Sequence, residues 1–239
     1  RAMQAIGTDT TACSVVALDS TFQPLMPCML WMDQRSAPQT ARILREAAGD
    51  PALYVNCNGD GPLSAEWMIP KALWLKDNKP DLFGDAAVIC ECQDFMNYRL
   101  TGTLVASACN VAARWHWDAR TAVASSWDNQ ELRCRGMPTS LLAKIGWSEL
   151  ADKWPQRCIA MGEPICASGL TEEAAAHLGL REGTRVVQGG PDAYVGMVGL
   201  NCVRPGELAL ITGSSHLHLL VTSRAQGGPG VWGAYRAAP

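Results

Sequence analysis

The apolar positions of this chain fall in short runs broken by turn chemistry. Residues 5–9 and 12–18 read as strands, and the β-branched stretch SVVAL (14–18) ends at Asp19-Ser20, a turn signal. A further apolar run, LMPCMLWM (25–32), contains Pro27, which favours an edge or a strand start. Helical signals follow. Residues 36–48 carry Ser36 as a cap, Pro38 in the first turn and Gly49 as a stop. The stretch 50–64 is loop chemistry, with Pro51, Asn56, Asn58, Gly59, Gly61 and Pro62. Helices are predicted over 65–77, with Trp67, Leu73, Trp74 and Leu75 on a broad apolar face, and over 92–100, closed by Thr101-Gly102. LTEEAAAHLGL (170–180) is a short helix with Thr171 as N-cap, two acids in its first turn and Gly179 at its end. TRVVQGG (184–190) reads as a strand entering a glycine turn, after which Asp192 opens another helix. Residues 206–223 read as two strands joined by small residues at 213–215. Strands mixed with helices, partly in hairpins, predict an α/β or α+β fold.

Composition narrows the function classes. The 239 residues make one large domain or two small ones. A 48% hydrophobic, 18% charged composition with a formal net charge of −3 is globular. It gives no electrostatic case for nucleic acid or an anionic membrane surface. No apolar run approaches the ~20 residues of a membrane span, and the first residues do not read as a signal peptide. Ten cysteines are spread through the chain without a CxxC pair, which predicts packed, reduced thiols in a reducing compartment. Cys90-Glu91-Cys92 with His116 is a zinc alternative, but the loop that usually separates paired ligands is missing, so no metal site is expected.

Four stretches can carry chemistry. In GGPDAYVGMVG (189–199), strand, glycine turn, acid and helix put the Asp192 carboxylate at a sheet edge beside a helix N-terminus. The dipole there favours the ionised form, and such a carboxylate facing a cleft can take a proton from a hydroxyl. An ordinary N-terminal helix aspartate would look the same. In TGSSH (212–216), Thr212, Gly213, Ser214 and Ser215 form a compact loop of N–H and hydroxyl donors, suited to phosphate oxygens or simply to a hairpin turn. In LWMDQR (30–35), Trp31 offers a flat face to sugar C–H groups, and Asp33 and Arg35 offer contacts to hydroxyls or to each other. Glu66 and Trp67, in SAEWMIPK (64–71), either line a pocket or open a helix.

Seven segments in order, IGTDTTACSVVALD (6–19), LWMDQR (30–35), SAEWMIPKALWLK (64–76), DFMNYRLTG (94–102), GGPDAYVGMVGL (189–200), GELALITGSSHLHL (206–219) and GVWGAY (230–235), resemble the FGGY carbohydrate kinases, in particular the ribulokinase-like branch. The resemblance implies an incomplete actin/Hsp70-like (ribonuclease H-like) α/β sugar kinase fold. It assigns 1–186 to the sugar-binding N-terminal domain and 187–239 to the beginning of the ATP-binding domain. It implies ATP and Mg²⁺ as cofactors and phosphorylation of a sugar or polyol, with D-ribulose first. Asp192 would be the catalytic base, and Thr212, Gly213, Ser214 and Ser215 the phosphate loop. Ala12, Cys13, Trp31, Asp33, Glu66 and Trp67 would border the sugar. A small-molecule sugar or polyol is the implied partner, with a homodimer or larger assembly allowed, in the cytoplasm or in a plastid or other organelle. Members of that family are longer and begin with an Asp-x-Gly-Thr strand, placed by the resemblance ahead of Arg1. The alternative class is therefore a truncated pseudoenzyme or structural subunit without kinase activity.

Overall fold

The computed structural model describes residues 3–55, 63–118, 136–155, 157–213, 216–226, 230–233 and 235. Among them, strands pair two by two. β1 (Ala5–Gly7) runs parallel to β6 (Arg185–Val187), with Ile6 opposite Val186. β2 (Val15–Leu18) is antiparallel to β3 (Val88–Glu91), with Val15 opposite Glu91. β4 (Ala106–Ser107) is parallel to β5 (Cys158–Ile159), and β7 (Leu208–Thr212) forms a hairpin with β8 (His216–Leu220). Parallel pairs joined across long stretches of helical chain, with antiparallel pairs beside them, bear out the α/β expectation.

The helices are α1 (Ala37–Glu46), α2 (Met68–Asn78), α3 (Pro80–Asp85), α4 (Cys92–Thr101), α5 (Ala108–Arg114), α6 (Thr139–Lys144), α7 (Leu150–Lys153), α8 (Glu172–Leu178) and α9 (Asp192–Gly199). α2 is the centre of the main core. Met68, Ile69, Ala72, Leu73 and Leu75 are buried on several of its faces, which is how a helix enclosed by its neighbours reads. Trp115 and Trp154 close the same core, their ring centroids 4.2 Å apart.

Several boundaries differ from the sequence reading for local reasons. The strand predicted over 12–18 starts at Val15, because Cys13 turns the chain with φ 67°. The run 25–32 forms no extended strand. Pro24 and Pro27 lack an N–H, so this segment meets β2 at separate points: the Leu25 N–H donates to Ala17 O at 2.9 Å, and Met29 and Val15 exchange both main-chain bonds, at 3.0 and 2.9 Å. The helix expected from 65 begins at Met68, after a turn in which the Trp67 N–H donates to Ser64 O at 3.0 Å. Ser36 does not cap α1 with its side chain. Its hydroxyl donates instead to the Ala65 carbonyl at 2.6 Å, tying the helix start to the segment before α2.

Candidate functional site

The turn before α9 demands glycine at its first position. A Cβ on Gly189 would lie 1.6 Å from the Thr8 carbonyl oxygen, whereas one on Gly190 would meet only the movable end of Met161, at 2.7 Å from Cε. Gly189 lets the chain run flush against residues 8–10. Thr10 bridges Pro191, the Asp192 N–H donates to Thr10 O at 3.0 Å, and Ser107 Oγ donates to Gly189 O at 2.9 Å. A polar lattice holds this seam to α4. Thr8 Oγ1 donates to Asn97 Oδ1 at 2.9 Å, Asn97 Nδ2 donates to Gln188 Oε1 at 2.7 Å, and Gln93 Nε2 donates to Thr8 O at 3.1 Å.

Asp192 therefore stands at the first position of the eight-residue helix α9, on a main chain fixed by Thr10. Its side chain is exposed, and one carboxylate oxygen accepts the Ala193 N–H at 2.7 Å. Asp192 is thus an exposed acid on a main chain fixed at both Thr10 and the start of α9.

A second cluster gathers around Cys13. Cys13 is buried, and burial pushes its thiol up to about 12, with Glu91, Arg114, Lys71 and Glu66 as its electrostatic neighbours. Its positive φ costs a non-glycine residue on the order of 1 kcal/mol. Lys71, 0% exposed, donates from Nζ to the carbonyls of Cys13 (2.6 Å), Leu30 (2.6 Å) and Trp31 (3.2 Å). Burial draws its pKa below the ordinary lysine value, against the opposing fields of Cys13, Glu91, Asp33 and Glu66. Glu91 is buried too. Desolvation, then Asp94, raise its carboxyl to about 8, although the Trp115 Nε1–H donates to it at 3.3 Å. Asp94 is raised to about 7, mainly by burial.

Trp31 and Ala12 are both half-buried and pack against the main core. Asp33 is paired locally: Arg35 bonds it through Nε at 2.9 Å and through a terminal nitrogen at 2.7 Å, and these contacts outweigh partial burial and hold its pKa below the usual carboxylate value. Glu66 accepts from Gln34 Nε2 at 2.8 Å. Trp67 is 3% exposed and offers no open face. Its ring lies against His116 (5.1 Å), Trp232 (5.9 Å) and the Arg114 guanidinium (5.3 Å). Arg114 donates to Tyr235 Oη at 3.0 Å, and Tyr235 meets Tyr194 of α9 edge-on at 6.0 Å. This chain of contacts joins the Cys13 cluster to the helix that carries Asp192.

At the tip of the β7–β8 hairpin, Thr212 and Gly213 are exposed; Ser214 and Ser215 lie outside the described residues. Cys90 packs with Val16 and Leu18, away from His116 on Trp67, so the zinc alternative has no common centre. Among the described residues no group of three His, Cys, Asp or Glu could hold a metal ion.

The sequence reading missed Lys71, Arg114 and Tyr235, and met Glu91 only in the zinc alternative. Lys71 did leave a signal, as a lone cation among Met68, Ile69, Pro70, Ala72 and Leu73. Arg114 left a similar one, closing the apolar run Val111-Ala112-Ala113.

The profile of the FGGY family of carbohydrate kinases, N-terminal domain, matches residues 1–199. The chain is 32% identical to an FGGY carbohydrate kinase domain-containing protein of Danio rerio, over 99% of this chain and 44% of that one. It is 28% identical to a D-ribulokinase of Saccharomyces cerevisiae, over 98% of this chain and 36% of the relative. A solved xylulose kinase of Rhodospirillum rubrum superimposes with a TM-score of 0.74 at 22% identity, covering 94% of this chain and 42% of that structure. That likeness shows the actin/Hsp70-like, ribonuclease H-like fold. The chain thus spans less than half the length of these relatives. With a profile match over most of its residues, a shared fold and the Gly-Gly-Pro-Asp turn standing open at a helix start, the chain belongs to the FGGY family of carbohydrate kinases.

Proposed function

We propose that the protein transfers the γ-phosphoryl group of ATP to a hydroxyl of a sugar or polyol, with D-ribulose as the first candidate and D-ribulose 5-phosphate as its product. One observation carries the reading: the exposed Asp192 carboxylate at the start of α9, its main chain fastened to Thr10 O at 3.0 Å. Asp192 would accept the hydroxyl proton as the oxygen attacks phosphorus. Phosphoryl transfer asks the protein mainly for positioning and charge stabilisation, so one base on a rigid turn suffices. The D-ribulokinase named among the relatives supports the choice of sugar.

The described residues fit a nucleotide co-substrate. Thr212 offers a hydroxyl and Gly213 an N–H with no Cβ in the way, both exposed, which is a donor set for phosphate oxygens. Mg²⁺ in such sites is held largely by phosphates and water with one or two carboxylates, so a protein cage of three acids is not required. When bound, Mg-ATP supplies the phosphoryl group and neutralises its charge. On the sugar side, Ala12 and Cys13 would line the pocket with main chain, Trp31 would pack on the C–H face, and Glu66 would accept from hydroxyls. Asp33, engaged by Arg35, would act through that pair.

The test is turnover by the protein expressed from its complete gene, with D-ribulose, L-ribulose, ribitol and xylulose in parallel. Asp192→Asn should lower kcat by about 10²–10⁴-fold with thermal stability unchanged. Undiminished turnover in the variant would defeat the assignment. D-ribulose should give the highest kcat/KM of the four, and a higher value for another substrate would move the specificity.

A further inference from the structure

We propose that Lys71 is the positioning residue of the sugar pocket: its buried ammonium fastens the Cys13 carbonyl to the Leu30 and Trp31 carbonyls and so fixes, as one unit, the two loops that would border the sugar. This inference rests on the kinase reading for its consequence, though not for its geometry.

An ammonium has three donors, and here each meets a main-chain carbonyl, at 2.6, 2.6 and 3.2 Å. None is left for a substrate, and the side chain is 0% exposed. A lysine enclosed in α2 costs more than a methionine of similar length unless its bonds achieve something that packing alone cannot. What these bonds achieve is long-range: they join α2 to the turn at Cys13 and to the segment at Leu30–Trp31, 58, 41 and 40 residues away in sequence. The two loops also meet directly through the Val15–Met29 pair at 2.9 and 3.0 Å. Cys13 sits at φ 67°, a conformation that a cysteine holds only when its surroundings impose it. Lys71 Nζ on its carbonyl is that imposition, and the Cys13 N–H faces the Glu91 carboxyl on its other side. Asp33 and Glu66 lie close enough to favour its charge.

A role in packing alone would affect stability and both substrates alike. A positioning role affects the sugar. In the protein expressed from its complete gene, Lys71→Met and Lys71→Arg should each raise the sugar KM about tenfold or more while the ATP KM stays within about twofold. Adding Cys13→Gly to Lys71→Met should recover part of the lost sugar affinity, because glycine adopts the positive φ unaided. A sugar KM within about twofold of wild type, or equal rises in both KM values, overturns the proposal. Should Lys71→Met fail to fold, Lys71→Arg is read by the same criteria. Should the wild-type protein phosphorylate none of the sugars, the kinase reading fails, and hydrogen exchange decides the positioning role separately. In Lys71→Arg the Val15 amide, bonded to Met29 O, should then exchange about tenfold faster while the α8 amides keep their rates. An unchanged Val15 rate overturns it.

Discussion

Around α2, most apolar side chains are interior whichever way they point, with Trp74 half-buried beneath Arg35. In the β7–β8 hairpin several large ones face outward: Leu208, Leu210 and Leu220 are 60, 53 and 54% exposed, while Ala209 is 3% exposed and Ile211 and Leu219 are half-buried on its side. Ala209 is covered because it packs with Tyr194, Met197 and Cys109 on the α9 side. The outer leucines of the same strands meet nothing comparable among the described residues. Equal hydrophobicity in sequence thus becomes core in one region and surface in the other. Alternation defines two faces of a strand, but which face is covered depends on what the rest of the fold brings to it. The candidate site lies between these regions, with Cys13 and Lys71 belonging to the closed one and Asp192 opening the other.

Substitutions can sharpen that contrast. The largest effect on stability is expected in the closed region, where Leu73→Ala, at a side chain 1% exposed, should cost about 2–5 kcal/mol, measured by denaturant unfolding. A cost below about 1 kcal/mol would show a core that relaxes freely.

Titration should give an intermediate effect. Glu91 holds its proton in the folded protein up to about pH 8, whereas in the unfolded chain it releases it near 4.5. Between those values the folded state binds more protons than the unfolded one. The stability due to this group is therefore complete below the lower value and is lost as pH rises through the upper one, by roughly 3–5 kcal/mol in total. Glu91→Gln mimics the protonated acid. Its Tm should match wild type at pH 5 and exceed it increasingly toward pH 8. A constant difference across that range would show that Glu91 does not titrate in this window.

The smallest effect is expected on the open hairpin face. Leu210→Ser should change stability by no more than about 0.5 kcal/mol. A loss comparable to that of Leu73→Ala would mean that the outer face is covered in solution and would remove the contrast between the regions.

Local interactions made parts of the chain legible in advance. α8 ends where its residues say it should: Thr171 Oγ1 accepts the Ala174 N–H at 3.2 Å, and Gly179 turns left-handed at φ 67°. Each signal acts within four residues, so sequence alone suffices. The glycine turn before Asp192 was legible for the same reason. Ser36 was misread as a side-chain cap because its partner, Ala65, comes from another part of the chain. β4 and β5, two residues each, are too short to leave a pattern and exist only through their pairing with each other. Trp67 read as a residue that could line a pocket, and its enclosure by His116, Arg114 and Trp232 depends on segments far apart in sequence.

The sequence by itself determined the helices with their own caps, the two-faced strands and the Gly-Gly-Pro-Asp turn, because propensity, capping and steric limits on φ act over a few residues. Only the tertiary structure decided that Asp192 is held by Thr10, that Lys71 gathers three distant carbonyls and that Glu91 is raised by burial. Hydrogen-bond partners and desolvation come from whatever the folded chain places alongside, which no short window of residues contains.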